Sequence, residues 1–319
     1  MSLPLQPPIA PALALSRREL PRGPEYAYEV KLDGFRCLAF IDGAEVFLQS
    51  RNGRPLARYF PELTFPPGRY VLDGEIVVRT AAGREDFDAL GQRVHPAASR
   101  IERLSRETPA VYVAFDLLAN DERSLLDRPF SARRGALETL LAAAAFTQAP
   151  VELMQSSRDP ERAQRWLREA EGAMAKLLEA PYVPGERRGM FKVKRVRTID
   201  AVVAGWRPGK EAGTVGALIL ALYDGRDLRV VGHCSGLSAT EKRRLVEFLA
   251  PHETGERGSG EASRWSGGRD LEWVALRPEL VVEIDFDHVS AGRIRHGARL
   301  RRWRDDKPAL ECSFDQLAS

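Results

Sequence analysis

Strand-forming segments outnumber helical ones along this chain and are set between tight turns, which limits its fold more than any other feature. YAYEVKLDG (26–34) reads as a strand ending at Asp33-Gly34, and CLAFIDGAEVFLQS (37–50) as a hairpin around Asp42-Gly43, a favoured two-residue turn. RYVLDGEIVVR (69–79) and VYVAFDLLA (111–119) are further strands, rich in β-branched and aromatic residues. Helices are fewer: a short one in EDFDALGQRV (85–94), one in FSARRGALETLLAAAAF (130–146), and one in DPERAQRWLREAE (159–171) with Asp159 at its cap and Pro160 in its first turn. Strands interrupted irregularly by helices predict an α+β domain on mainly antiparallel sheet. The proline-rich first 24 residues read as an extended arm laid over that domain.

After about residue 197 the texture changes. IDAVVAGWRP (199–208), GALILALYDG (216–225) and DLRVVGHCSG (227–236) are three short strands in succession. SATEKRRLVEFLA (238–250) is a helix with a capping box from Ser238 to Glu241, EASRWSGGRDLEW (261–273) is loop-like, and VVEIDFD (281–287) is one more strand. Such a run fits a small barrel of the OB type. The expected division is 1–197 and 198–319.

Composition excludes several classes. The chain is 44% hydrophobic and 29% charged, the balance of a soluble globular protein long enough for two cores. It has no apolar run of about 18 residues, so no membrane span is expected. The N-terminus lacks the order of a signal peptide, which points to the cytoplasm. Cys37, Cys234 and Cys312 stand far apart, so neither a disulfide framework nor a four-cysteine zinc site is expected.

The charge ledger holds one oddity. Of 48 basic residues only seven are lysines: Lys31, Lys176, Lys192, Lys194, Lys210, Lys242 and Lys307. Coding bias accounts for the arginine excess, but a lysine amine can act as a nucleophile where arginine cannot. Lys31, in EVKLDGFR, sits where a strand meets a turn; to attack it must lose a proton, which burial or nearby positive charge promotes. In VLDGEIVV, alternation puts Val71, Asp73, Glu75 and Val77 on one strand face, where a buried carboxylate needs a partner or a metal. Glu171, in AEGAMAK, offers a second carboxylate. In MFKVKRVR, Met190, Lys192 and Lys194 share a face, and paired lysines there call for an anion such as phosphate between them. Phe115 lies in VYVAFDLLA with Val111, Val113 and Leu117 on its face, either as core or as a platform for a purine base. Two stretches, 181–210 and 292–307, are strongly basic although the net charge is only +3, as a polyanion-binding surface would be.

Taken in order, KLDGFR (31–36), SRNG (50–53), LDGE (72–75), FDLL (115–118), EGAMAK (171–176), FKVK (191–194) and RDDK (304–307) resemble the motifs of the nucleotidyltransferase superfamily of ATP-dependent DNA ligases. The likeness is strongest to the short bacterial ligase C and ligase D type, in the PPIAPALA arm, SRNGRPLARYFPEL, QRVHPAASR and RWRDDKPALEC. The family's RNA-ligase and GTP-using capping relatives, and a catalytically dead OB-fold nucleic-acid-binding module, are the alternatives. An NAD-dependent ligase is disfavoured by the missing four-cysteine zinc module.

The resemblance implies a nucleotidyltransferase domain followed by an OB-fold. Lys31 would be the nucleophile that forms lysyl-AMP. Glu29 would accept from adenine N6, Phe115 would stack on adenine, and Arg36 and Arg51 would contact ribose or phosphate. Glu75 and Glu171 would bind ribose and Mg²⁺ or Mn²⁺, with Lys192 and Lys194 on the α-phosphate of ATP. Arg304, Asp306 and Lys307 would orient pyrophosphate. The implied substrate is nicked duplex DNA and the implied role DNA repair by a monomer, with a repair polymerase or DNA-end-binding protein as candidate partners. Neither an N-terminal DNA-encircling domain nor an attached polymerase or phosphoesterase module is expected.

Overall fold

The computed structural model describes residues 3–260, 271–290, 292–294 and 297–317. The chain divides into two compact units, Met1–Arg195 and Val196–Ser319.

Unit 1 contains β1 (Leu15–Ser16), β2 (Tyr26–Val30), β3 (Phe35–Gly43), β4 (Glu45–Ser50), β5 (Gly68–Val78), α1 (Phe87–Gln92), α2 (Ala98–Glu107) and β6 (Ala110–Asn120). It continues with β7 (Arg123–Ser124), α3 (Phe130–Leu141), β8 (Val151–Leu153), β9 (Ser156–Ser157), α4 (Pro160–Glu169), β10 (Gly172–Leu177) and β11 (Met190–Lys194). Two sheets result: β1-β11-β10-β2-β9, and β4-β3-β5-β6-β7 with β8 against β6. Every pairing is antiparallel except β1 with β11 and β6 with β8.

The alternation expected for β5 holds. Tyr70, Leu72, Ile76 and Val78 enter one core with Leu90 and Leu137, while Val71 and Val77 turn to the opposite face. The first sheet buries Tyr28, Ala173, Ala175 and Val193 against Ala163 of α4, whose cap is Asp159 as expected.

Three local readings need correction. The β3–β4 turn falls one residue later than expected: Asp42 still pairs with Glu45, leaving Gly43 and Ala44 as the turn, with Gly43 at φ 65°. Helix α2 lies in a stretch that composition did not mark, because its buried residues are only Ile101 and Leu104 on an otherwise charged segment. Leu117 does not share a face with Phe115. β6 departs from regular register between Asp73 and Gly74 of its partner, where Phe115 is left over, and again between Val71 and Leu72, where Leu118 is. These bulges shift the alternation, so Leu117 joins the α3-side core and Phe115 the other face.

Unit 2 is the OB-fold. Its elements are β12 (Arg197–Pro208), β13 (Val215–Asp224), β14 (Asp227–Cys234), α5 (Ala239–Leu249), β15 (Glu253–Gly260), β16 (Leu271–Leu276), β17 (Val281–Phe286), β18 (Val289–Ser290), β19 (Arg293–Ile294) and β20 (Arg299–Trp303). β12 is long enough to pair with β13 along one edge and with β16 and β17 in turn along the other. Both halves of the expected capping box of α5 form, Ser238 with Glu241. The loop reading of 261–273 fails at its end, since Leu271–Trp273 open β16; residues 261–270 lie outside the described residues, as does Arg295 of the second basic stretch. Among the described residues no helix is long and apolar enough to cross a membrane, and the three cysteines are free and buried.

Candidate active site

The segment Lys31–Gly34 carries the chain from the first sheet, where β2 ends, to the second, where β3 begins. It therefore spans between sheets and does not close a hairpin. Its path is tight: a Cβ on Gly34 would overlap the Ile76 carbonyl oxygen and stand 2.8 Å from Glu75 Cγ, so only glycine fits. The Lys31 backbone N–H donates to the Gly172 carbonyl at 3.0 Å, fixing the nucleophile candidate to the start of β10. Its amine lies 3.5 Å from Glu171 Oε1 and 3.3 Å from the Leu32 carbonyl.

Lys31 lines a cavity of about 220 Å³ between the two sheets. Six other expected site residues line it as well: Glu29, Arg36, Arg51, Glu75, Phe115 and Lys192. Glu171 reaches the site through its contact with Lys31, and Lys194 lies two residues beyond Lys192 on β11. The apolar lining comes from Met154, Met174 and Met190, adaptable side chains suited to a flat ring. Pro11, Leu13 and Ala14 of the arm also form wall. Leu13 N–H donates to the Glu186 carbonyl and Arg17 N–H to that of Lys192, so the arm is fastened beside β11.

The electrostatics separate into two zones. Burial pushes the Glu75 carboxyl up to about 7, against the opposing pull of Arg36 and Lys31. Burial also raises Glu29, with Lys176 as the largest opposing influence and Arg134 behind it. Around Lys192 the influences are of one sign: burial, then Lys194, Lys31, Arg51 and Arg187, all lower its amine below the ordinary lysine range. A cavity that gathers this many cations is built to receive an anion.

Arg36 does not point freely into the cavity. It grips Asp73 with two bonds of 2.6 Å, and its guanidinium carbon lies 4.8 Å from the Phe115 ring centre. Tyr182 Oη donates to the same carboxylate at 2.6 Å and accepts from Ala12 N–H at 2.9 Å, tying the arm into the network. Asp73 and Tyr182 were not singled out as site residues; Asp73 is visible as the only other acid on its strand face, but nothing local marks Tyr182. Lys176 is marked in the sequence both as a scarce residue type and as the last residue of EGAMAK, and Arg187 as a member of the basic stretch 181–210, whereas nothing local marks Arg134.

Arg304, Asp306 and Lys307 belong to unit 2. Arg304 donates to Asp200 at 2.8 and 3.0 Å and to both Asp306 oxygens at 2.8 and 2.9 Å. That bonding holds Asp306 down at about 2. Lys307 Nζ stands 3.5 Å from Glu311 and 3.9 Å from Asp200.

The sequence matches two family models, the ATP dependent DNA ligase domain over residues 11–194 and the ATP dependent DNA ligase C terminal region over 211–307. It is 45% identical to DNA ligase C2 of Mycolicibacterium smegmatis over 100% of this chain and 97% of that protein. It is 31% identical to the multifunctional non-homologous end joining protein LigD of Mycobacterium bovis, over 89% of this chain and 36% of that longer protein. Among solved structures, a mycobacterial DNA ligase D complexed with ATP and MES superposes with a TM-score of 0.53 at 29% identity, over 95% of this chain and 97% of that one. The cavity, its single-sign cations and these matches agree: the chain belongs to the ATP-dependent DNA ligase family.

Proposed function

We propose that this chain seals 3′-OH/5′-phosphate nicks in duplex DNA through a lysyl-AMP on Lys31. The observation that carries the reading is the convergence of Lys31, Arg51, Arg187, Lys192 and Lys194 around one cavity that also presents Phe115 and Glu29. Phosphates suit the cations, and a purine suits the aromatic ring and the buried carboxylate.

In the first step the Lys31 amine lone pair attacks the α-phosphorus of ATP. A P–N bond forms, the bond to pyrophosphate breaks, and the amine proton leaves. Lys192 and Lys194 bear the charge of the α-phosphate, while Arg304 and Lys307, with Asp306 holding Arg304, orient pyrophosphate. In the second step a DNA 5′-phosphate oxygen displaces Lys31 from the adenylate, and Arg36 and Arg51 receive that phosphate. In the third the 3′-hydroxyl attacks the activated phosphate and AMP departs. Each is an in-line displacement at phosphorus, accelerated by positioning and charge neutralisation.

Among the described residues no group of three or more acids, histidines or cysteines could hold a metal alone. Mg²⁺ is commonly held by one or two carboxylates together with substrate phosphates, and Glu75 and Glu171 fit that requirement. Bound there it would supply charge neutralisation at the phosphates.

A repair role in the cytoplasm, by a monomer working with a polymerase or end-binding protein, follows as the setting, supported by the likeness to an end-joining protein. The test is sealing of a nicked DNA duplex with ATP against GTP, and against an otherwise identical RNA nick. Sealing of the DNA nick with ATP is expected; joining of RNA ends only, or use of GTP alone, would overturn the assignment.

A further inference from the structure

We propose that Lys176 is the positioning residue that makes the cavity select adenine over guanine, by holding Glu29 as a carboxylate with one oxygen free to accept. The inference rests on the adenylation reading above and deepens it.

Glu29 of β2 and Lys176 of β10 stand on neighbouring strands: Met174 pairs with Glu29 and Lys176 with Ala27, so the two side chains are diagonal neighbours on the cavity face. Their side chains are 2% and 3% exposed, and Lys176 Nζ lies 2.7 Å from Glu29 Oε2. The ammonium is enclosed further by the Phe115 and Phe130 rings, with centres at 4.6 and 4.7 Å, and by the Phe115 carbonyl at 3.4 Å. It can bind little else.

The other oxygen is different. Glu29 Oε1 is buried and has no hydrogen-bond partner. Arg134 Nη1 stands 3.7 Å away, while its Nε and Nη2 are committed to Glu138 and the Met154 carbonyl at 2.7 Å each. A buried acceptor left open costs stability unless something arrives to donate to it. Glu29 lines the same cavity as Phe115. Adenine presents an exocyclic amine, a donor; guanine presents a carbonyl at the equivalent position, an acceptor that a carboxylate repels.

Lys176 decides which partner Glu29 can take. Burial raises this carboxyl and Lys176 is the first influence opposing it. Without the ammonium only Arg134 opposes burial and the nearby Asp116, so the protonated form gains, and a protonated carboxyl offers a hydroxyl donor that suits a guanine carbonyl.

The experiment measures single-turnover adenylation and guanylylation of the full chain from labelled ATP and GTP, at pH 6 to 9. Wild type should take label from ATP and reject GTP at every pH. In Lys176→Met the ATP-to-GTP rate ratio should fall at least about tenfold at low pH and climb as pH rises and the carboxyl ionises. Lys176→Arg should restore a pH-independent preference. Glu29→Gln should lose preference without pH dependence, and adding Lys176→Met to it should change the ratio no further. A Lys176→Met variant that labels with the wild-type ratio across the range overturns the proposal. If that variant does not fold, Glu29→Gln answers with Lys176 in place: a wild-type ratio there also overturns it. Wild type that takes no label on Lys31 would instead overturn the adenylation reading itself.

Discussion

Two basic stretches look alike in the sequence and differ once folded. In the C-terminal stretch cations meet acids: Arg301 faces Glu283 and Asp285, Arg302 bonds Glu283 at 2.6 Å, and Arg304 is held by Asp200 and Asp306. In the stretch that includes β11, burial first and then other cations, Lys194, Lys31, Arg51 and Arg187, lower the Lys192 amine. Exposed pairs such as those of Arg301 and Arg302 contribute little to stability. Cations assembled beside a cavity store repulsion that an incoming phosphate relieves. A run of charges in a sequence cannot tell these cases apart; the partners across the sheet can.

Substitutions can break or sharpen that contrast. Lys192→Met should reduce the rate of enzyme adenylation on the order of 100-fold, as loss of one charged contact to phosphate does; a loss below threefold would remove Lys192 from the phosphate site. Arg304→Ala should slow adenylation by about tenfold while sealing of pre-adenylated nicked DNA survives, since pyrophosphate is absent from that step. Equal loss of both steps would count against the pyrophosphate assignment.

Glu75 tests the cavity from its acidic side. Its folded value of about 7 lies above the ordinary carboxyl value of 4.5, so the folded state binds the extra proton. That stabilisation is full below 4.5 and is lost as pH climbs through about 7. Melting of the nucleotide-free protein at pH 5 and pH 8 should show Glu75→Gln gaining on wild type at the higher pH, on the order of 2 kcal/mol, discounted because the carboxyl opens onto the cavity. An unchanged difference would mean the carboxyl is ordinary. The smallest effect belongs to the paired region: Arg302→Ala should cost roughly 0–1 kcal/mol in denaturant unfolding and leave adenylation within about twofold. A large adenylation defect there would erase the distinction between the two stretches.

Much of the architecture was legible because it is written in periodicity. The alternation in β5, the proline-led α4 and the capping box of α5 need only neighbouring residues to be read. The bulges that reverse Leu117 against Phe115 are not legible, since they are set by pairing between β5 and β6, whose partners there lie 40 to 48 positions apart, from Gly74 with Ala114 to Val71 with Ala119. Helix α2 escaped because it buries so little. Of the site, Lys31, Glu75 and Lys192 were marked by residue type against background. Tyr182 and Arg134 were not, because their significance lies in reaching Asp73 and Glu29 across the fold.

One covalent bond, between Lys31 and AMP, distinguishes this mechanism most directly. Incubating the intact protein with ATP and Mg²⁺, after stripping any bound AMP with pyrophosphate, and mapping the modified peptide by mass spectrometry tests it. The prediction is a single AMP on Lys31, absent from Lys31→Arg, in which the guanidinium cannot attack. An adduct on another residue, or one that persists in Lys31→Arg, would contradict it.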